Sequence, residues 1–204
     1  MLSDLRVKDF LEKTASSSPF PGGGSVSALG AALGAALTEM AAGLTIGKKG
    51  YESAAGEMRT IQAKAAELRR NLTENIDRDS ASYEEVIKAF GLPKVTEEQK
   101  AKRTEAVQDA LKNAALVPLD VAESGLDVMD LTEKAVRFGN KNAVTDGVVG
   151  MLMLRSAVMG ALSNVKINLK SIQDRDFCKK LSTRVNELED RVIAKERVLF
   201  LFCR

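Results

Sequence analysis

An all-helical, single-domain bundle of long helices is the fold this sequence predicts, on three observations. Apolar residues recur at spacings of three and four over most of the 204 residues, and no segment alternates with period two. Only 4% of residues are aromatic and four are proline, while 45% are apolar, which is ample for a core. No repeat, low-complexity tract or linker divides the chain, so residues 1–204 read as one domain.

Residues 3–15 form a short amphipathic lead-in. Pro19-Phe20-Pro21-Gly22-Gly23-Gly24-Ser25 then stiffens and frees the backbone in turn, and Ser25 is placed to cap a helix over residues 25–45. That helix is built largely of alanine and glycine, with Val26, Leu29, Leu33, Leu37, Met40 and Leu44 as its apolar ridge. A loop, Ile46-Gly47-Lys48-Lys49-Gly50-Tyr51, leads into one very long helix over residues 53–90, which Gly91-Leu92-Pro93-Lys94 ends. Thr96 and Gln99 form a capping box that restarts the helix, and Pro118 predicts a kink or break near Val117. After a turn at Gly139-Asn140-Lys141-Asn142, residues 143–169 read as a helix buried on most sides. A last helix begins near Asp174 and carries Phe177, Leu181, Val185, Leu188, Val192 and Leu199 on one face.

Composition excludes several classes of function. Lys and Arg number 30 against 28 Asp and Glu, too even a balance for nucleic acid or an anionic membrane as the main partner. Glu39 closes the first apolar stretch and Arg155 interrupts the second, so neither reads as a membrane span, and the first residues lack a signal-peptide pattern. Cys178 and Cys203 stand isolated, without metal-ligand spacing, and fit a reducing cytoplasm. There is no histidine, which removes the commonest general base, the commonest zinc ligand and every Ser-His or Cys-His pair. No metal or cofactor is expected, and proton transfer falls to Asp, Glu, Lys or Tyr.

Asp79 is the sharpest candidate. Met58, Ile61, Ala65, Leu68, Leu72, Ile76, Tyr83, Val86 and Phe90 trace the stripe of the long helix, and the rhythm demands position 79 between Ile76 and Tyr83. A carboxylate facing a core is costly unless paired or protonated, and burial raises its pKa toward that of a general acid. A hydrogen bond to a neighbouring helix end would equally account for it. Asp77, projecting away around the helix, is expected nearer solvent. Asp146, in the first turn of its helix, reads either as dipole compensation or as a second functional carboxylate. Asn140, Asn142, Asn164 and Asn168 offer amides to a heterocycle, or serve as caps and turns. Lys48 and Lys49, with Tyr51, can meet substrate carboxylates or simply be solvated. The glycine run and Ser25 present helix N-terminal amides to an anionic or amide-rich ligand.

In order along residues 19–170, the motifs Pro21-Gly22-Gly23-Gly24-Ser25, Leu44 to Tyr51, Asp79 with Tyr83 and Leu92-Pro93-Lys94, Gly139 to Asn142 with Thr145-Asp146, and Asn164-Val165-Lys166-Ile167-Asn168 resemble the cyclodeaminase/cyclohydrolase family. The resemblance implies an all-helical, dimeric domain acting on one-carbon groups of tetrahydrofolate, a substrate rather than a cofactor. Its two branches close 5-formiminotetrahydrofolate to the 5,10-methenyl compound with loss of ammonia, or hydrolyse the methenyl compound. It implies that Asp79 is the catalytic acid/base, that Asp146 orients or stabilises, and that Thr145 stands where the family carries serine. Pro21 to Ser25 would meet the pterin or its linker, Lys48 and Lys49 the glutamate tail, and Tyr51 and the asparagines would line the site. The competing reading is a non-enzymatic helical oligomer or an inactive folate-binding relative.

Overall fold

The computed structural model describes residues 1–199; Cys203 and the side chain of Leu199 lie outside the described part. Within it are six α-helices, α1 (Val7–Thr14), α2 (Gly23–Gly43), α3 (Ala55–Phe90), α4 (Glu97–Phe138), α5 (Val144–Leu169) and α6 (Arg175–Leu199). Short 3-10 turns stand at Leu2–Asp4, Glu52–Ala54 and Lys141–Ala143, and there is no strand among the described residues. The capping box forms as the sequence predicts: Thr96 Oγ1 accepts from the Gln99 N–H, and Gln99 Oε1 accepts from the Thr96 N–H.

α2 lies against α3, α4 and α5. It runs antiparallel to α3, bringing Gly24 to Asp79 and Gly43 to Gln62, and antiparallel to α5, bringing Ser27 to Gly160 and Gly34 to Leu154. Against α4, which runs parallel to it, Thr38 Oγ1 meets Thr132 Oγ1 at 2.6 Å in the fully buried interior. Such approach leaves no room for bulk: a Cβ at Gly34 would stand 2.5 Å from the Leu154 side chain, and one at Gly125 on α4 2.6 Å from Val158.

Four of the six residues of the predicted ridge of α2 therefore face outward, while Leu29 and Leu37 are half-buried. Ala28, Ala31, Ala35 and Ala42 are fully buried, whereas Val26 is 42%, Leu33 45%, Met40 41% and Leu44 50% exposed. Three neighbouring helices crowd the alanine and glycine face, and the large side chains are left on the remaining one. α5 is likewise less enclosed than predicted, since Val149, Leu152 and Ile167 are exposed, and Leu152 and Met153 continue the outer apolar surface of α2. By length and composition alone Gly23–Gly43 and Lys141–Leu169 both pass as membrane spans, contrary to the sequence expectation; here they pack on one another in the bundle.

Pro118 does not break the chain: α4 is one helix of 42 residues with the proline buried inside it. Proline has no N–H for the carbonyl four residues back, here that of Ala114. Asn168 supplies the missing donor from α5, its Nδ2 lying 2.8 Å from the Ala114 oxygen. α6 buries Leu181, Val185, Leu188 and Val192 against α4 and α5 and is edged by Arg184–Glu123 (2.7 Å) and Lys112–Asp174 (2.8 Å). Such surface pairs contribute about 0–1 kcal/mol each, so the apolar face does most to hold the helix.

Asn168→Ala orphans the Ala114 carbonyl and is expected to cost about 1–3 kcal/mol in urea unfolding. In a Pro118→Ala background, where residue 118 regains its N–H, the same change costs clearly less. Equal costs in both backgrounds would refute the pairing.

Candidate active site

The sequence-predicted residues gather at the two ends of α2. At its N-terminus the chain turns through Pro21, which is buried, to Gly22, the residue preceding the helix. Ser25 is not the cap predicted from the sequence, because α2 begins two residues earlier. Its side chain, fully buried, donates instead to Asp79 Oδ2 at 2.8 Å and stands 3.2 Å from Ser80 Oγ. The Ser25 main-chain N–H also bonds the Asp79 carboxyl. A Cβ on Gly24 would lie 2.0 Å from Asp79 Oδ1, so only glycine lets this carboxyl reach the first turn.

Asp79 is half-buried, and burial pushes its carboxyl above the ordinary carboxylate range, while the Ser25 hydroxyl and N–H pull it back part of the way. The hydrogen bond to a neighbouring helix end that the sequence allowed is therefore present, and the carboxyl remains biased toward holding a proton. The helix amides offered by the sequence reading to an external anion are, at Ser25, engaged by Asp79 itself. Tyr83, one turn along α3 from Asp79, faces Phe20 with ring centroids 6.3 Å apart, and Asn164 of α5 packs on Gly23 and donates to its own Gly160 carbonyl. Tyr83 is 39% exposed, so the stripe of α3 opens to solvent beyond Asp79. Asp77 is not the solvent-facing control expected of it: its carboxylate accepts from the Leu2 and Ser3 N–H groups and from Ser3 Oγ, tethering the N-terminus to α3.

The other end of α2 holds the second group. Gly47 and Gly50 adopt φ of 76° and 88°, the left-handed conformations that fold the Lys48-Lys49 loop back over the bundle. Lys48 Nζ donates to Asn140 Oδ1 at 2.8 Å. Asn140 also accepts from the Asn142 N–H and donates through Nδ2 to the Leu44 carbonyl, and its own N–H donates to buried Thr45 Oγ1. Asn140 is thus a structural hub that positions Lys48. Tyr51 accepts from the Lys141 N–H and lines a cavity of about 500 Å³ with Val136, Phe138, Gly139 and Val144. Lys49, Asn142 and Thr145 are exposed, and Asp146 is half-buried in the first turn of α5. Asn168 belongs to neither group, being turned to α4.

Asp146 and Asn164 share α5 but stand about five turns, roughly 27 Å, apart. One protomer therefore does not bring Asp79 and Asp146 together. The sequence reading missed Ser80 and the aromatic pairing of Phe20 with Tyr83. Phe20 carried one signal, its place beside the Pro-Gly-Gly-Gly turn, but Ser80 carried none beyond adjacency to Asp79. Among the described residues no three His, Cys, Asp or Glu side chains converge as a metal would require.

Residues 6–187 match the family described as Formiminotransferase-cyclodeaminase. The chain is 39% identical to methenyltetrahydrofolate cyclohydrolase of Methylorubrum extorquens, over 93% of this chain and 89% of that protein. It is 34% identical to formimidoyltransferase-cyclodeaminase of Rattus norvegicus over 92% of this chain, but spans only 35% of that longer protein. The crystal structure of formiminotetrahydrofolate cyclodeaminase from Thermotoga maritima superposes with a TM-score of 0.88 at 33% identity, covering 99% of this chain and 97% of that one.

A carboxyl whose pKa is raised by folding contributes stability fully present below its unfolded value, near 3.8, and lost as pH rises through the higher folded value. Asp79→Asn escapes that loss. The melting temperature of the variant is expected to gain on the wild type between pH 3 and pH 8, the gain appearing as Asp79 ionises; a pH-independent difference would contradict the assignment.

Proposed function

The chain belongs to the formiminotransferase-cyclodeaminase family, and from that premise we propose that it is a folate one-carbon enzyme whose acid/base is Asp79. Hydrolysis of 5,10-methenyltetrahydrofolate is the first reading, supported by the Methylorubrum cyclohydrolase that matches at nearly full length. Ring closure of 5-formiminotetrahydrofolate with loss of ammonia is the second, supported by the Thermotoga cyclodeaminase fold. The observation that carries both is the half-buried Asp79 carboxyl, biased toward its protonated form yet bonded so that it can ionise.

In hydrolysis, the negative charge favours the cationic substrate, water adds to the methenyl carbon as the Asp79 carboxylate takes one of its protons, and that proton passes to N5 as the C–N5 bond breaks to leave the 10-formyl compound. In ring closure, N10 attacks the formimino carbon and Asp79, as acid, protonates the departing nitrogen so that it leaves as ammonia. Tyr83, one turn along α3 from this carboxyl, and Phe20 paired with it offer aromatic surface to the substrate, while Gly22 and Gly23 permit a flat ring to approach the backbone. Asn164 contributes amide contacts, and Lys48 and Lys49 meet the glutamate carboxylates.

A homodimer completes the site in this reading. Two observations support it: the two groups of site residues lie at opposite ends of α2, and the face between them exposes Val26, Leu33, Met40, Leu44, Val149 and Leu152. A second copy laid antiparallel along α2 covers that apolar face and sets the Asp79 end of one copy against the Lys48, Tyr51, Asn142, Thr145 and Asp146 end of the other. Asp146 then orients or stabilises at a reaction centre it cannot reach within its own chain. Cys178, a free thiol, fits a cytoplasmic enzyme.

The test is the near-ultraviolet absorbance of the methenyl group with purified protein. Accelerated loss from methenyltetrahydrofolate supports hydrolysis, and accelerated appearance from the formimino compound with ammonia release supports ring closure. Silence in both from folded protein overturns the enzyme reading in favour of a structural oligomer. Asp79→Asn is expected to lower kcat about 10²–10⁴-fold, and Lys48→Ala/Lys49→Ala to raise KM more than it lowers kcat; the reverse pattern would contradict a tail-binding role.

A further inference from the structure

Two hydroxyl groups follow one another from the Asp79 carboxyl. Ser25 Oγ, with no exposure, is 2.8 Å from Asp79 Oδ2, and Ser80 Oγ is 3.2 Å from Ser25 Oγ. Ser25 comes from the first turn of α2 and Ser80 follows Asp79 on α3, so the row bridges two helices at their closest approach. Ser25 is closed off from any ligand in this chain, and Ser80 is 8% exposed. A hydroxyl, unlike an amide or a cation, both donates and accepts, and its rotor can turn.

We propose that Ser25 and Ser80 are positioning residues forming a reversible hydroxyl relay, which keeps the Asp79 carboxyl hydrogen-bonded in both its proton-free and its proton-bearing forms. When Asp79 is ionised, Ser80 donates to Ser25 and Ser25 donates to Asp79 Oδ2. When Asp79 carries the proton, the order reverses: Asp79 donates to Ser25, and Ser25 donates to Ser80. Each serine keeps its own proton throughout, and only the two rotors turn. A half-buried carboxyl that gains and loses a proton in every turnover would otherwise leave a buried polar atom unpaired in one of its states, at a cost that slows that half of the cycle.

Charged neighbours on the packed elements are engaged elsewhere. On α3, Asp77 holds Leu2 and Ser3, and Arg78 holds Asp120. Ahead of α2, Lys13 lies over the Phe20 ring at 6.0 Å, and on α5 Lys166 pairs with Glu189. Tyr83, one turn on, faces Phe20. Gly24 closes the arrangement, since a side chain there would push the carboxyl off the row.

The inference rests on the reading of Asp79 as acid/base, yet its test does not depend on turnover. The full-length protein carrying ¹³C-labelled aspartate, with no folate present, is titrated by NMR, using Asp79→Asn to assign the Asp79 carboxyl signal. Ser25→Ala removes the hydroxyl donor to the ionised form and leaves only the main-chain N–H, so the Asp79 midpoint is expected to rise by about one pH unit. Ser80→Ala leaves the ionised form its Ser25 donor but deprives the protonated form of the acceptor at the end of the row. Its midpoint is expected to fall, by about half a unit. A merely structural pair of serines shifts neither value, and a static hydrogen bond from Ser25 alone shifts only the first. An unmoved or raised midpoint in Ser80→Ala overturns the relay, as does an unmoved midpoint in Ser25→Ala; Ser80→Ala decides the question by itself if Ser25→Ala does not fold. If Asp79→Asn retains wild-type turnover, the acid/base reading falls while the two midpoints still decide the relay.

Discussion

The close approach of α2 to three neighbouring helices is the constraint on which the rest of the structure depends. Glycine at 24, 34 and 125 and alanine at 28, 31 and 35 let backbones come within a distance that ordinary side chains forbid. That approach seats the Asp79 carboxyl on the first turn of α2. It also decides where bulk goes, because a helix crowded on three sides by small residues must carry its leucines on the fourth. The same helix then serves as a ruler that keeps the two groups of site residues apart.

Close packing of helices raises the stakes for every polar group between them, and here the compensations are specific. Thr38 and Thr132 share the protons of their two hydroxyls between one another and the carbonyls of their own helices. Ser25 satisfies Asp79, and Asn168 restores a donor that Pro118 removed. Thr45 and Asn140 tie the end of α2 to the turn before α5, leaving Lys48 aimed by an amide rather than loose in solvent. Polar side chains at these helix contacts act by holding geometry, while burial opposes the charge of the Asp79 carboxyl among them.

Much of this was legible in the sequence. The period of 3.6 located α3 to within two residues of its start and singled out position 79, because a carboxylate there breaks an otherwise apolar stripe. The capping box at Thr96 and the glycine-bounded turns were readable from local chemistry alone. The inward face of α2 was not, since amphipathic reasoning sends large residues to the core and has no term for a helix whose small face is the crowded one. That the helix runs through Pro118 without a break was not legible for a related reason: a donor arriving from residue 168 is invisible to local rules. The amides of Asn140 and Asn168 looked free because a sequence does not show which carbonyl lies opposite. Order along the chain likewise says nothing of the separation between Asp79 and Asp146.

That separation makes a shared site between two copies the central claim, and subunit mixing tests it most directly. Asp79→Asn and Asp146→Asn proteins, each inactive alone, are unfolded together and refolded in equal amounts. If one centre takes Asp79 from one copy and Asp146 from the other, half of the dimers are hybrids with one intact site, and about one quarter of wild-type turnover returns. Turnover no higher than the sum of the two separate proteins, from a mixture shown to contain hybrids, would contradict a site built across two chains.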